Sequence, residues 1–122
     1  MKRTGLLLIF FLAIILSACS GDGYKNLSTE EAKKLVDHSE AVVLDVRTPE
    51  EFEEGHIPKA TLIPLQELES RLGELDKDET YLVVCRSGNR SAQASELLVQ
   101  EGFKKVYNMT GGMNTWDDEI EK

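Results

Sequence analysis

Two short runs of the chain are almost entirely apolar, residues 41–46 and residues 80–84. A run of this length without polar alternation predicts a strand that is buried on both of its faces. Shorter apolar stretches predict two further strands, over residues 61–63 and 105–107. We therefore expect a sheet whose inner strands are covered on both sides.

The segments between these strands have the pattern of helices. Ser28 and Glu31 form a capping-box pattern, which predicts a first helix over residues 29–38. Further helices are predicted over residues 50–54, 65–73, 91–100 and 115–120. Helix and strand alternate along the chain, which predicts an α/β fold with a mostly parallel central sheet and helices on both faces.

The first residues of the chain have the pattern of an export signal. A positively charged start precedes an apolar run of 11 residues, 6–16, which is too short for a spanning helix of about 20 residues. Residues 16–19 end the pattern with small residues and a cysteine, and they resemble the lipobox of bacterial lipoproteins. The resemblance implies a signal peptide over residues 1–18 and a lipidated Cys19. An ordinary signal peptide with an incidental cysteine is the alternative.

The lipobox interpretation also divides the rest of the chain. Residues 19–26 are polar and are expected to form a membrane tether, and residues 27–122 are expected to form the folded domain. We expect a protein that is lipid-anchored to the cell membrane on its extracytoplasmic side, either in a periplasm or on the outer face.

The charge of the chain is strongly negative, with a formal net charge of −8 at pH 7. Loss of Lys2 and Arg3 with the signal peptide reduces the 14 basic residues to 12, against 22 acidic ones, a formal charge of −10. Such a surface repels nucleic acids and anionic lipid head groups. We therefore expect no nucleic-acid partner, and attachment to the membrane through the lipid.

Cys85 directly follows the apolar run 80–84 and opens a small polar loop before the helix predicted over residues 91–100. If Cys19 is lipidated, Cys85 is the one remaining thiol and no internal disulfide can form. A thiol at a strand end that faces a helix N-terminus lies where a thiolate is stabilised. These features indicate a cysteine that does chemistry, and a buried core cysteine is the alternative.

The loop after Cys85 is suited to hold negative charge. Its backbone N–H groups, the helix N-terminus and an arginine can together lower the pKa of a thiol from its ordinary value of about 8.5. Gly88 allows the loop to curl, and Ser91 is placed to cap the helix. The candidate loop residues are Arg86, Ser87, Gly88, Asn89 and Arg90.

Four blocks of the sequence together resemble the rhodanese family of single-domain sulfurtransferases. The blocks are residues 45–47, 51–60, 85–91, and 111–113 with Trp116, in family order and at family-like spacing. The resemblance implies a rhodanese-like fold and an enzyme that carries sulfur as a persulfide on Cys85. It implies a small anionic sulfur donor such as thiosulfate, a cyanide or thiol acceptor, and neither a cofactor nor a metal.

The resemblance also implies roles for the other residues of the site. The backbone N–H groups from Arg86 to Arg90 would cradle the terminal sulfur, and Arg90 would close the loop and stabilise negative charge. Arg86 would lie at the mouth of the pocket and favour anionic donors. We expect Asp45 to be a structural hydrogen-bonding residue. Arg47 is expected either to pair with a nearby carboxylate beside the site or to form a surface ion pair.

Several positions outside the loop receive structural interpretations. His56 is expected to make a packed local hydrogen bond, because the family mechanism uses no histidine base, and His38 is expected to lie on the surface. Trp116 is expected to pack the last helix against the core. Two departures from the family pattern are Lys59, where glycine is frequent and a surface lysine is expected, and the acidic C-terminus, 117–122, which lacks the usual glycine and proline.

Two alternative functions fit parts of the same pattern. A phosphatase or arsenate reductase of the related loop type would need five residues between its cysteine and arginine, whereas four separate Cys85 from Arg90 and position 91 is serine. An extracytoplasmic persulfide carrier or redox-sensing module would keep the loop and act on a dedicated redox protein partner. The shorter loop favours the sulfurtransferase over the phosphatase, and the carrier stays an alternative.

Overall fold

A computed structural model describes residues 23–122 of the chain. The predictions for the signal peptide over residues 1–18, for lipidation of Cys19 and for the start of the tether lie outside the described residues. Within residues 23–122, no helix is both long enough and apolar enough to cross a membrane.

Helices and strands alternate along the described chain, so the predicted α/β fold is confirmed. The strands are β1 (Lys25–Leu27), β2 (Val42–Asp45), β3 (Thr61–Leu62), β4 (Thr80–Val84) and β5 (Lys105–Met109). The helices are α1 (Thr29–Asp37), α2 (Pro49–Glu54), α3 (Leu65–Leu68) and α4 (Asn89–Gln100), with 3₁₀ segments at Glu69–Glu74 and Met113–Thr115. The helix predicted over residues 65–73 is split between α3 and the first 3₁₀ segment.

The five described strands lie parallel in one sheet, in the order β1-β5-β4-β2-β3. β4 is therefore central, with β5 on one side and β2 on the other. From β4 the chain continues to β5, toward one edge of the sheet, whereas from β2 it continues to β3, at the opposite edge. The direction of the connections therefore reverses between β4 and β2. In open parallel sheets this reversal creates a crevice beyond the carboxyl ends of the strands, where ligands bind.

The sheet is covered on both faces, as predicted. The side chains of Tyr81, Val83 and Cys85 pack into one buried cluster with α3 and α4. Those of Leu82 and Val84 pack into a second buried cluster with α1. The strand period of two causes this alternation. It directs the Cys85 side chain toward the face that α4 covers.

The sheet begins before the domain boundary that was predicted at residue 27. Lys25 and Asn26, which their polarity assigned to the tether, belong to β1 and pair with Tyr107 and Asn108 of β5. Asn108 also donates a 3.0 Å side-chain hydrogen bond to Oδ1 of Asn26. A short edge strand with polar residues carries little hydrophobic pattern, so the sequence did not reveal it.

The helix predicted over residues 115–120 is wrong. Met113–Thr115 form one turn of 3₁₀ helix, and the residues after it are not helical. His56 and Glu121 instead exchange two backbone hydrogen bonds of 2.9 and 2.8 Å. A helix of six residues is marginal on its own, so these tertiary bonds decide the conformation. Trp116 still packs against the α1-side cluster, without the helix that was expected to carry it.

The backbone at Lys59 has a conformation that suits the glycine expected here from the resemblance. Lys59 has a φ of 68°, in the left-handed region that glycine adopts most readily. Its side chain is exposed, as predicted. Lysine at this position therefore places backbone strain in the turn before β3. It does not belong to the Cys85 loop.

Candidate active site

Cys85 lies at the carboxyl end of the central strand β4, directly after Val84. Its loop leads into α4, and the loop that follows the neighbouring strand β2 leads into α2. The two segments therefore meet at the crevice between β4 and β2. Cys85 is fully buried and belongs to the core cluster on the α4 face. Its burial alone would fit the alternative of a buried core cysteine. The hydrogen bonds to its sulfur distinguish it from one.

Hydrogen-bond donors of the loop surround the sulfur of Cys85. The Gly88 N–H donates to Sγ at 3.1 Å, and the Ser91 hydroxyl lies 3.3 Å from Sγ. Burial acts to raise the pKa of the Cys85 thiol. Hydrogen bonds from the Ser91 side chain and from the backbone N–H groups of Ser91, Gly88 and Ser87 outweigh burial, and the pKa is lowered from its ordinary value. This environment suits a thiolate.

Ser91 does not cap α4, so this part of the prediction is wrong. The helix begins at Asn89, and its N-cap is Gly88, which has a φ of 99° and offers no side-chain cap. A Cβ at Gly88 would overlap the carbonyl group of Thr110, so only glycine lets the chain turn at this point. Ser91 consequently falls in the first helical turn, where it is buried and its hydroxyl faces the sulfur.

Ser91→Ala is expected to raise the pKa of the Cys85 thiol, because it removes the side-chain donor nearest to the sulfur. A hydrogen bond of about 1 kcal/mol corresponds to a roughly fivefold slower alkylation at neutral pH. The measurement is the pH dependence of alkylation of the intact protein by a small reagent. Ser95→Ala, one turn further along α4 and equally buried, is the matched control. Equal shifts of the pH midpoint of alkylation in Ser91→Ala and Ser95→Ala would contradict the role given to Ser91.

Glu51 binds both arginines of the loop, a contact that sequence reasoning missed. Arg90 donates from Nη1 and Nη2 to the two carboxylate oxygens at 2.8 and 2.9 Å, and Arg86 donates from Nε at 3.1 Å. The backbone N–H and the hydroxyl of Thr48 both donate to Oε1 at 3.1 Å. Glu51 is therefore the capping-box residue of α2 and the counter-ion of the loop. The capping-box spacing of Thr48 and Glu51 is the sequence signal that could have singled it out.

The two loop arginines differ in how many of their guanidinium nitrogens already have a hydrogen-bond partner. Glu51 occupies both Nη groups of Arg90 and holds this side chain against α2. Among the described residues, the Arg86 side chain hydrogen-bonds only through Nε, and it is 55% exposed. The Nη groups of Arg86 therefore have no hydrogen-bond partner among the described residues, whereas both Nη groups of Arg90 are bound to Glu51.

Glu51→Gln is expected to lower the free energy of unfolding at pH 7 by about 1–2 kcal/mol, because charge-assisted hydrogen bonds to a partly exposed carboxylate are lost. Hydrogen bonds from Arg90, opposed by burial and assisted by Thr48 and Arg86, hold the pKa of Glu51 well below its ordinary value. Such a carboxylate stabilises the fold above its unfolded pKa of about 4.3 and loses that contribution as the pH falls below it.

The difference between wild type and Glu51→Gln should therefore shrink below about pH 4.3, which chemical denaturation at several pH values can measure. Glutamine at this position keeps the capping box of α2, so the variant isolates the charge. Glu74→Gln is the matched control, since Glu74 pairs with Arg71 at 2.9 Å on an exposed surface. A constant difference between pH 7 and pH 3 would contradict the prediction.

Asp45 and Arg47 form an ion pair at the end of β2. Arg47 donates from Nε to Oδ1 at 2.9 Å and from Nη2 to Oδ2 at 2.8 Å. Its Nη2 also donates to the carbonyl oxygen of Gly55 at 2.9 Å. Asp45 is 0% exposed and Arg47 is 5% exposed. Arg47 thus pairs with a carboxylate beside the site, and the alternative of a surface ion pair is wrong.

The two histidines lie outside the Cys85 loop and have structural positions. Nδ1 of His56 lies 2.8 Å from the carbonyl oxygen of Phe52, and the two rings stack with centroids 3.6 Å apart. His38 is exposed and is the C-cap residue of α1. Both arrangements agree with the roles expected from the sequence.

The segment after β5 supports the back of the Cys85 loop. The N–H of Met113 donates to the carbonyl oxygen of Cys85 at 2.8 Å, and the N–H of Asn114 donates to that of Arg86 at 2.9 Å. Gly112 has a φ of 63°, and a Cβ there would overlap the carbonyl group of Arg86. The glycine-containing block 111–113 therefore permits a backbone-to-backbone approach that a side chain would prevent.

Known proteins resemble this chain in sequence. Residues 28–119 match the rhodanese-like domain. GlpE of Coxiella burnetii, a thiosulfate sulfurtransferase, is 38% identical over 93 residues, which cover 76% of this chain and 87% of GlpE. YrkF of Bacillus subtilis is 42% identical over 96 residues, or 78% of this chain. The chain spans about half of the length of YrkF, 52%.

The fold of a solved protein agrees with these matches. The crystal structure of a rhodanese-like domain protein from Staphylococcus aureus superposes with a TM-score of 0.73 and is 39% identical, covering 80% of this chain and 96% of that one. The rhodanese-like fold that the four sequence blocks predicted is therefore confirmed. On both sequence and structure, this chain belongs to the rhodanese-like domain family of sulfurtransferases.

Proposed function

We propose that this protein moves a sulfane sulfur from an anionic donor such as thiosulfate to cyanide or a thiol, through a persulfide on Cys85. The observation that carries the proposal is the position of Cys85 Sγ at the end of the central strand, in contact with the Gly88 N–H and the Ser91 hydroxyl. These donors favour the thiolate, which is the reactive form. The name of the relative GlpE, thiosulfate sulfurtransferase, supports the choice of donor.

In the first half-reaction the Cys85 thiolate attacks the outer sulfur of thiosulfate. The bond between Sγ and this sulfur forms as the S–S bond of thiosulfate breaks, and sulfite leaves with the electron pair. The exposed guanidinium group of Arg86 attracts the anionic donor. Because Cys85 is fully buried, the loop around it has to open to admit the donor.

In the second half-reaction cyanide or a thiolate attacks the outer sulfur of the persulfide. The bond from this sulfur to Cys85 breaks, and Cys85 leaves as a thiolate with the electron pair. The loop donors that lower the pKa of the thiol also make it a better leaving group. The cycle is ping-pong covalent catalysis and consumes no oxidant or reductant beyond donor and acceptor.

Mass spectrometry of the purified protein after incubation with thiosulfate tests this proposal. The expected result is the addition of one sulfur atom, which peptide fragmentation locates on Cys85 and which cyanide removes as thiocyanate. Cys85→Ser should acquire no sulfur and should not turn over. Absence of the adduct from wild-type protein, or its persistence in Cys85→Ser, would falsify the assignment.

A lipid anchor on Cys19 is a second part of the proposal, supported by the sequence pattern of residues 6–19. The anchor would hold the domain at the extracytoplasmic face of the membrane, where sulfur donors and acceptors of that compartment reach it. Cys19→Ala should move the protein from the membrane fraction to the soluble fraction. Retention of the variant in the membrane fraction would contradict lipidation.

A further inference from the structure

Glu51 joins two segments that the strand order brings together at the crevice. It lies in α2, after β2, and its carboxylate accepts three hydrogen bonds between 2.8 and 3.1 Å from Arg86 and Arg90 in the loop after β4. These arginines lie 35 and 39 residues further along the chain. The Glu51 side chain is 15% exposed, so water and salt screen its charge less than that of a surface carboxylate. The charge of Glu51 therefore acts on the Cys85 loop.

Arg90 links the charge of Glu51 to the thiol. Hydrogen bonds to Glu51 raise the pKa of the Arg90 guanidinium, and burial opposes them. The negative charges of Glu51, Cys85 and Asp45 raise this pKa further. Arg90 thus contacts Glu51 and lies within electrostatic reach of the Cys85 thiolate. A negative charge that enters the loop beside Sγ is therefore attracted by Arg90 and repelled by Glu51.

The formal charges around the sulfur balance when the thiol is ionised. Arg86 and Arg90 contribute two positive charges, which the Glu51 carboxylate and the Cys85 thiolate compensate. The buried ion pair at the end of β2 adds no net charge. A dianion such as thiosulfate therefore enters a site without a surplus of positive charge. Without the charge of Glu51, the same site would have a surplus of one positive charge.

We propose that Glu51 is a specificity-determining residue, which limits the negative charge of the sulfur donor that the Cys85 loop accepts. As the counter-ion of Arg86 and Arg90, it disfavours dianionic donors relative to monoanionic ones. This inference rests on the proposed persulfide chemistry. Thiosulfate and methanethiosulfonate are matched donors with two and one negative charges. With either donor the Cys85 thiolate attacks the outer sulfur, the S–S bond of the donor breaks, and sulfite or methanesulfinate leaves with the electron pair.

Alkylation of the full chain, followed at the Cys85 peptide by mass spectrometry, tests the charge effect without sulfur transfer. Iodoacetate carries one negative charge and iodoacetamide is neutral. The ratio of their rate constants therefore reports the potential at the thiol, and a change in the thiol pKa cancels because both reagents attack the thiolate. Glu51→Gln is expected to raise this ratio about threefold, the effect of one charge several ångströms away in a hydrated site. Glu51→Asp keeps the charge and should retain the wild-type ratio.

Steady-state transfer to cyanide from each of the two donors extends the test to catalysis. Glu51→Gln should raise the ratio of kcat/KM for thiosulfate to kcat/KM for methanethiosulfonate about threefold, because the donors differ by one charge. A loosened loop would change kcat/KM for both donors by the same factor, so the ratio separates specificity from a purely structural role. Glu53→Gln is the matched control, since Glu53 is exposed in α2 and takes no part in the ion pairs of Arg86 and Arg90. Neither ratio is expected to change in this control.

Two outcomes would overturn the inference. One is a ratio in Glu51→Gln equal to that of wild type, in either measurement, which would indicate that Glu51 only holds the loop in shape. The other is an equal rise in Glu53→Gln, which would indicate an effect of net charge alone. Failure of Cys85 to acquire sulfur from either donor, together with the expected alkylation ratios, is a separate result. It would overturn the proposed function and leave the charge effect of Glu51 on the thiol intact.

Discussion

Asp45→Ala is expected to destabilise the folded domain by about 3–5 kcal/mol, because it leaves the Arg47 guanidinium buried without its counter-ion. Four hydrogen bonds between 2.8 and 3.1 Å join Arg47 to the Asp45 carboxylate, counting the backbone N–H of Arg47. Both residues are almost completely withdrawn from solvent. Since small domains have a total stability of about 5–15 kcal/mol, this loss is a large part of the total free energy of unfolding.

Chemical denaturation of wild type and variant measures this loss directly. Replacement of both partners by apolar residues, Asp45→Leu with Arg47→Met, should recover part of the stability, since no buried charge is then unpaired. Glu67→Ala is the matched control, because Glu67 forms a 2.8 Å ion pair with Arg71 on the exposed surface. A similar loss of unfolding free energy in Asp45→Ala and Glu67→Ala would show that the buried ion pair stabilises the fold no more than an exposed one.

Gly112→Ala is expected to slow the formation of the Cys85 persulfide by about a hundredfold or more. The added Cβ would overlap the carbonyl group of Arg86, and backbone of the loop cannot swing away as a flexible side chain could. The φ of 63° adds backbone strain for any residue with a side chain. The loop has to shift, and a displacement of about 1 Å at a reacting group can cost a hundredfold in rate.

Single-turnover loading with thiosulfate, followed by mass spectrometry, provides the measurement. Gly73→Ala is the matched control, since a Cβ at Gly73 meets no atom within 4 Å. The control should load at the wild-type rate and keep the wild-type stability. A rate for Gly112→Ala within a few fold of wild type would show that the loop tolerates displacement, and that the contact with the segment after β5 is not needed.

Local pattern was sufficient for the parts of the fold that depend on near neighbours. The run 80–84 is apolar without alternation because β4 is the central strand and is buried on both faces. Cys85 could be placed at the end of this strand, because a polar loop and a helix follow it. The capping box of Ser28 and Glu31 is present in the structure as the spacing predicts.

The elements that were predicted wrongly depend on contacts between distant residues. α4 begins at Asn89, two residues before the predicted start, because Gly88 turns against the backbone of Thr110. The C-terminal residues are not helical, because Glu121 pairs with the backbone of His56. These contacts join segments that are far apart along the chain, and neither hydrophobic period nor capping spacing carries information about them.

Sequence pattern alone was enough to predict an α/β fold and to place the Cys85 thiol at the end of a buried strand, because strand burial and helix spacing are local properties of the chain. The rhodanese-like family was predicted from the resemblance of four sequence blocks. Tertiary structure decided which groups act on that thiol. The strand order places α2 beside the loop, so Glu51 binds Arg86 and Arg90, and the start of α4 turns the Ser91 hydroxyl toward the sulfur. These contacts depend on how segments distant in the sequence pack together, and a local sequence pattern does not contain that information.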